Sequence, residues 1–281
     1  MEHDGTQRSV RLAVEVPGTV GAVWKAVATG PGLTSWFLPT EVDGRIGGEV
    51  LFHFGPYGTD VCEVTGWDPP RRFEFSVAQR DRTITHELVV VRLGPHRCRV
   101  EFCTAGFGTD ESWDEEVEAM AKAWPVFLQN LVISLTYFAD RACAMTIVNG
   151  SFTGDIDDAW ALVRARLGIG DPVVGERLTV SGDDRPRLVG KVARHQDQAL
   201  VLVLEEPGPA VVVFGVQLMG DDQVHIGLYL YSYDDDPKAE VRVLGGTWQA
   251  WMDRWFPFEL PTLKPAARRS RPDLGWPSGA S

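Results

Sequence analysis

Trp67-Asp68-Pro69-Pro70-Arg71-Arg72-Phe73-Glu74-Phe75 reads as the end of one strand, a reversal and the start of the next. Proline presets φ, so Asp68-Pro69-Pro70 turns the chain, and Phe73, Phe75 and Val77 then alternate with Arg72 and Glu74 as a half-buried strand does. The same period of two recurs upstream at Val50, Phe52 and Phe54 and from Val61 to Trp67, and downstream from Ile84 to Val91 and at Val100 and Phe102. Gly55-Pro56-Tyr57-Gly58 and Gly94-Pro95 supply further reversals. The pattern predicts an antiparallel meander.

Further out the period changes. Residues 9–16, SVRLAVEV, alternate as a strand, and Pro17-Gly18-Thr19 opens a helical stretch carrying Val20, Val23, Trp24 and Val27. After Gly108, Trp113, Val117, Met120, Trp124, Phe127, Leu131, Leu135 and Phe138 recur at three and four, which predicts a long closing helix. Ser112 and Glu115 have capping-box spacing. Pro125 has no amide to donate, so a helix start, break or kink is expected just before it.

The order then repeats. Ala144 to Phe152 reads as a strand, and Asp155 to Val163 lines up with Val20 to Val27, with Trp160 answering Trp24. Strand-like runs follow at Leu188 to Ala193, Ala199 to Leu204, Val211 to Leu218 and Val224 to Tyr233, then a helical stretch with Trp248, Trp251, Met252 and Trp255. The expected organisation is one domain over residues 8–140, a diverged second copy over 144–260 and a flexible tail over 264–281.

Bulk properties narrow the function. The 281 residues hold 27 Lys plus Arg against 39 Asp plus Glu, a formal net charge of -12 that repels a phosphate backbone, so nucleic acid is not an expected partner. The one basic cluster, Lys264, Arg268, Arg269 and Arg271, falls in the tail. Cys62, Cys98, Cys103 and Cys143 lack paired spacing and read as reduced thiols. The first ten residues carry no apolar signal core and no run is long enough to span a bilayer, which predicts a cytoplasmic protein.

Val23-Trp24-Lys25-Ala26, Pro31-Gly32-Leu33, Trp36-Phe37, Gly47-Gly48, the Trp67 to Phe75 segment, and Trp124, Leu128, Leu131 and Leu135 follow one another in a recognisable order. Together they resemble the SRPBCC superfamily of START and polyketide-cyclase proteins, in the branch named for activators of the ninety-kilodalton heat-shock protein's ATPase. Ala123 stands where that pattern usually has Gly before the helix Trp. The resemblance covers residues 8–140 and implies an α+β helix-grip fold, a curved antiparallel sheet around a long C-terminal helix with a cavity between them, here in two tandem copies.

Alternation places Val50, Phe52, Phe54, Phe73, Phe75, Val77, Ile84, Leu88, Val100 and Phe102 on one sheet face, opposite Trp124, Leu128 and Leu131. Such a face is either a packed core or a cavity wall, and the resemblance points to the cavity. The expected ligand contacts are Trp36, Phe52, Phe54, Phe73, Phe75, His86, Leu88, Phe102, Trp124 and Leu128. His86 shares the inward register and could bond a ligand, or be a core histidine with an ordinary partner. His53 falls on the opposite face. Arg72, Glu74, Glu87, Arg99 and Glu101 should form charge pairs on the outer face, and no carboxylate is read as inward.

No phosphate-binding loop, dinucleotide fingerprint, zinc-protease or nucleophile-elbow motif occurs, so no catalytic residue, metal ligand or cofactor is assigned. In the second copy His225, Tyr229, Tyr231 and Tyr233 share one strand face, expected at a domain interface, opposite Val224, Ile226, Leu228 and Leu230. Three functions follow as expectations: binding of a small hydrophobic molecule with little or no catalysis, a didomain polyketide aromatase or cyclase, and a chaperone-associated protein with a protein partner.

Overall fold

The computed structural model describes residues 2–4, 7–196, 198–219 and 222–259, without the side chains of residues 2–4 and Glu115. The chain divides into two compact units between Asp140 and Arg141. The expected tail, with its basic cluster and Trp276, lies outside the described residues.

In the first unit the strands are β1 (Glu2–Asp4), β2 (Gln7–Pro17), β3 (Thr40–Val42), β4 (Glu49–His53), β5 (Thr59–Asp68), β6 (Arg72–Gln79), β7 (Arg82–Gly94) and β8 (Arg97–Phe107). They form one antiparallel sheet in the order β1-β2-β8-β7-β6-β5-β4-β3. The meander is the predicted one, and its last strand closes onto the first long strand, Leu12 lying opposite Phe102. β3 escaped the sequence reading because three residues are too few for alternation to register.

Two short helices, α1 (Val20–Ala28) and α2 (Gly30–Thr34), follow β2. Each is started by a threonine: Thr19 Oγ1 accepts from the Ala22 amide at 3.3 Å and Thr29 Oγ1 from the Gly32 amide at 3.1 Å. Gly32 lets α2 sit directly on α1, since a Cβ there would lie 1.9 Å from the Lys25 carbonyl. That close approach delivers Trp36 and Phe37 into the core, where the Trp36 indole donates to the Ala26 carbonyl at 3.0 Å.

The closing helix α3 (Asp114–Tyr137) is continuous for 24 residues with Pro125 inside it, so the expected break does not occur. Pro125 frees the Ala121 carbonyl, and Ala121 is exposed, so water can take the missing amide's place while the apolar stripe holds the helix to the sheet. The capping box is also corrected. Ser112 lies in a 3-10 turn over Glu111–Trp113, its amide bonds Asp110 Oδ1 at 3.1 Å, and Trp113 is the residue that precedes the helix. The Glu115 side chain is outside the described residues. Arg8 ties this entry to β2, donating to the Gly108 carbonyl at 2.6 Å and to Asp114 at 2.5 Å.

The second unit runs β9 (Ala144–Thr153), α4 (Ile156–Leu167), β10 (Arg177–Gly182), β11 (Arg185–Gln196), β12 (Ala199–Glu206), β13 (Ala210–Leu218), β14 (Gln223–Ser232) and α5 (Pro237–Trp255). Its sheet order is β10-β11-β12-β13-β14-β9, again a meander closing on the first strand. α4 is capped at both ends, by Asp155 and by Gly168 in the left-handed region at φ 70°. β10 went unread because Val180 is its one buried side chain.

The core of this unit joins Trp160 and Val163 of α4, Leu200, Leu202, Val212, Phe214, Ile226 and Leu228 of the sheet, and Trp248, Trp251 and Met252 of α5. Gly150 allows α5 to approach β9: a Cβ there would fall 2.7 Å from Met252 Cγ and 2.8 Å from the Phe256 carbonyl.

Candidate functional site

The first unit's inner face is built as cross-strand rows. Val64 of β5, Phe75 of β6, His86 of β7, Thr104 of β8 and Val10 of β2 lie opposite one another in turn, and all five are buried. Beside them run Phe73, Leu88 and Phe102. Side chains at such paired positions share a face, so the pleat alone brings His86 between Phe75 and Thr104.

The rings on this face, on α3 and on the segment after α2 close a circuit. Phe37 meets Phe52 at 5.7 Å between centroids, Phe52 meets Phe75 at 5.4 Å, and Phe75 stacks on His86 at 5.1 Å. His86 lies parallel to Phe102 at 6.3 Å, Phe102 meets Trp124 of α3 at 3.7 Å, and Trp124 stacks on Phe37 at 5.0 Å. His86 is the one imidazole of the six, and the Trp124 indole donates to Met120 Sδ at 3.1 Å. Trp36 lies outside the circuit, 6.4 Å from Trp124, and Phe73 flanks it, 5.2 Å from Phe75.

His86 is fully buried, and its Nδ1 lies 2.9 Å from the Thr104 hydroxyl. Removal from water disfavours the charged imidazolium and pushes the pKa down to about 3. At neutral pH the ring is therefore uncharged, a hydrogen-bonding group and a weak base.

All ten residues expected as ligand contacts are buried, and the ring contacts join Trp36, Phe52, Phe73, Phe75, His86, Phe102 and Trp124 into one cluster. Leu88 stands beside this cluster in the Phe73 row, and Leu128 is buried on α3. Phe54 is buried just past the end of β4, beside the 3-10 turn at Gly55–Tyr57. His53 faces outward and bonds Thr59 Oγ1 at 3.0 Å and Glu41 Oε1 at 3.1 Å. Arg72 pairs with both Glu87 and Glu74, and Arg99 with Glu101, forming the outer charge ladder.

Among the buried polar residues of this unit, Asp60, Thr104 and Asn130 were missed. Asp60 lies opposite Phe52 in the ladder and is buried, which corrects the reading that no carboxylate points inward. Its alternation with Cys62 and Val64 carried the signal. Thr104 shares the register of Val100 and Phe102, but a hydroxyl in a strand ordinarily draws no notice. Asn130 of α3 is buried.

In the second unit His225 is buried and its Nε2 lies 3.0 Å from Asn149 Oδ1 on the neighbouring strand, with burial pushing its pKa down to about 4. Tyr231 and Tyr233 on the same face are buried. Among the described residues no group of three His, Cys, Asp or Glu is placed to hold a metal ion, and no helix is long and apolar enough to cross a membrane.

In both units a first strand, a helix and a meander lead to a final long helix, which packs its aromatic stripe on the sheet's inner face. Each unit is a helix-grip fold. The helix-grip arrangement is the one that the SRPBCC resemblance implies for residues 8–140, and the second unit repeats it with one meander strand fewer among the described residues.

No protein-family model matches the chain, and no curated protein matches its sequence. Among solved structures it is similar to DynU16, from the dynemicin biosynthetic locus, at 18% identity over 87% of this chain and 95% of that one, with a TM-score of 0.39. It is similar to the di-domain ARO/CYC BexL from the BE-7585A biosynthetic pathway at 13% identity over 87% and 91%, TM-score 0.43. The Aha1 dimer of Colwellia psychrerythraea is 18% identical over 46% of this chain and 97% of that one, TM-score 0.38. These are likenesses of outline. The helix-grip assignment rests on strand order and helix placement.

Proposed function

We propose that the first helix-grip unit binds a small hydrophobic, ring-containing molecule between its sheet and α3, with the chain acting as a binder and not through a catalytic constellation. The observation that carries this reading is the neutral His86, bonded to Thr104, set within a circuit of four phenyl rings and the Trp124 indole. Aromatic faces give area to a planar ligand, and a single uncharged polar group gives it direction.

The test is native mass spectrometry of freshly purified protein, followed by melting in the presence of 2-naphthol. A co-purified small molecule, or a rise in melting temperature that grows with probe concentration, is expected. A ligand held at about 100 times its Kd stabilises by about 2.7 kcal/mol. An apo mass together with a melting temperature unmoved by 2-naphthol and other planar apolar probes overturns the reading.

A second reading is favoured by the tandem units: a didomain aromatase or cyclase that shapes a poly-β-ketone by confinement. Such chemistry needs a shaped site and a few oriented polar groups. Co-expression with a polyketide synthase that releases a poly-β-ketone tests it. An altered product profile that reverts in the His86→Leu variant supports it, and an identical profile sinks it.

A further inference from the structure

Asn130 is 3% exposed, and neither its Nδ2 nor its Oδ1 has a hydrogen-bond partner among the described residues. A buried amide with both ends unpaired is destabilising, because each end has lost its water without replacement. A leucine has the same number of side-chain heavy atoms and would take the same place without that cost.

The residue's place on α3 gives the amide a context. Asn130 lies three residues after Phe127 and four before Ser134, so the three share one side of the helix. Phe127 meets Phe37 edge-on at 4.7 Å, and Ser134 Oγ lies 3.2 Å from Ser35 Oγ. Asn130 therefore stands along α3 at a level between Phe37, which belongs to the ring circuit, and Ser35. Ser35 and Ser134 do not satisfy it, for they meet each other, and Ser35 Oγ also donates to the Gly32 carbonyl at 2.6 Å.

The geometry points to Asn130 as the polar anchor of the ligand site in the first unit, an inference that rests on the binding function proposed above. An asparagine amide offers two N–H donors and a carbonyl acceptor side by side. Its complement is a donor and an acceptor on neighbouring atoms, the pattern of a carboxamide or lactam. The ligand class is then a planar aromatic body carrying such an amide, with its rings against Phe37 and Trp124 and its polar edge toward α3.

The test compares 2-naphthamide with 2-methylnaphthalene, which has the same rings and no polar group, by calorimetric titration of the full chain and of Asn130→Leu. In the wild type 2-naphthamide should bind about tenfold more tightly than the hydrocarbon, the worth of roughly 1.4 kcal/mol of hydrogen bonding. In Asn130→Leu the ratio should fall to near one, while the apo variant melts higher than the wild type. Should Asn130→Leu fail to fold, the side-chain amide signals of Asn130 in nitrogen-15-labelled wild type, assigned through Asn130→Asp, must shift on adding 2-naphthamide. A preference that is absent from the wild type or survives in the variant overturns the anchor. So do unmoved amide signals with probe bound, which would mean a buried water only. Binding of neither probe to wild type instead defeats the binding function itself.

Discussion

His86 and Thr104 face each other across β7 and β8, with imidazole Nδ1 2.9 Å from the threonine hydroxyl and both side chains fully buried. The pair puts one uncharged polar contact into an aromatic wall, and its energetics set how the first unit responds to acid.

The His86 pKa is lowered to about 3 from an ordinary 6.5, and that of His225 to about 4. The unfolded chain takes up these protons first. The histidine contribution to stability is therefore fully present above pH 6.5 and is lost as pH falls toward the folded values. From pH 7.5 to 5.5 each histidine should cost its unit about 1.4 kcal/mol. Urea unfolding at the two pH values measures this, and His86→Leu should remove the share of the first unit.

Phe102 and Trp124 join sheet to helix at 3.7 Å between ring centroids. Trp124→Ala should destabilise the first unit by about 3–5 kcal/mol through the cavity it leaves. A cycle of Phe102→Leu, Trp124→Leu and the double variant should return a coupling of about 0.5–1.5 kcal/mol. Additive effects in guanidinium unfolding would mean that the two rings do not act as a pair.

Pro125 interrupts the bonding of α3 on the side where Ala121 is exposed. Pro125→Ala should restore a bond to the Ala121 carbonyl and raise stability by about 1 kcal/mol or more. Thermal melting should move up, with helical circular dichroism unchanged or slightly larger.

Gly150 lies under α5, where a Cβ would fall 2.7 Å from Met252 and 2.8 Å from the Phe256 carbonyl. Gly150→Val should push α5 from the sheet and destabilise the second unit by about 1–3 kcal/mol. Proteolysis near α5 should speed up in the variant, and an unchanged rate would show that the helix can shift to make room.

Much of the fold was legible because its strands obey a period of two with proline or glycine at the reversals. Phe73, Phe75, Ile84, Leu88, Val100 and Phe102 are all buried, as their alternation predicts. Pro125 misled because local backbone chemistry counts one lost bond, whereas the continuous helix is held by a stripe from Val117 to Leu135 buried against the sheet. Asp60 went unread because the sequence reading starts that strand at Val61, and only its register with Cys62 and Val64 gives the inward position.

The periodicities, and with them which side of each strand meets the core, are written in the order of the residues, because alternation on a pleated backbone is a local property. The repeat of strand, helix, meander and helix is written there for the same reason. Tertiary structure alone decided which residues meet. The ring circuit from Phe37 through Phe52, Phe75, His86 and Phe102 to Trp124, and the unpaired amide of Asn130, depend on contacts between residues far apart in the chain, set by strand register and by the seating of α3. Burial, hydrogen bonding and pKa follow from those contacts, and no local pattern encodes them.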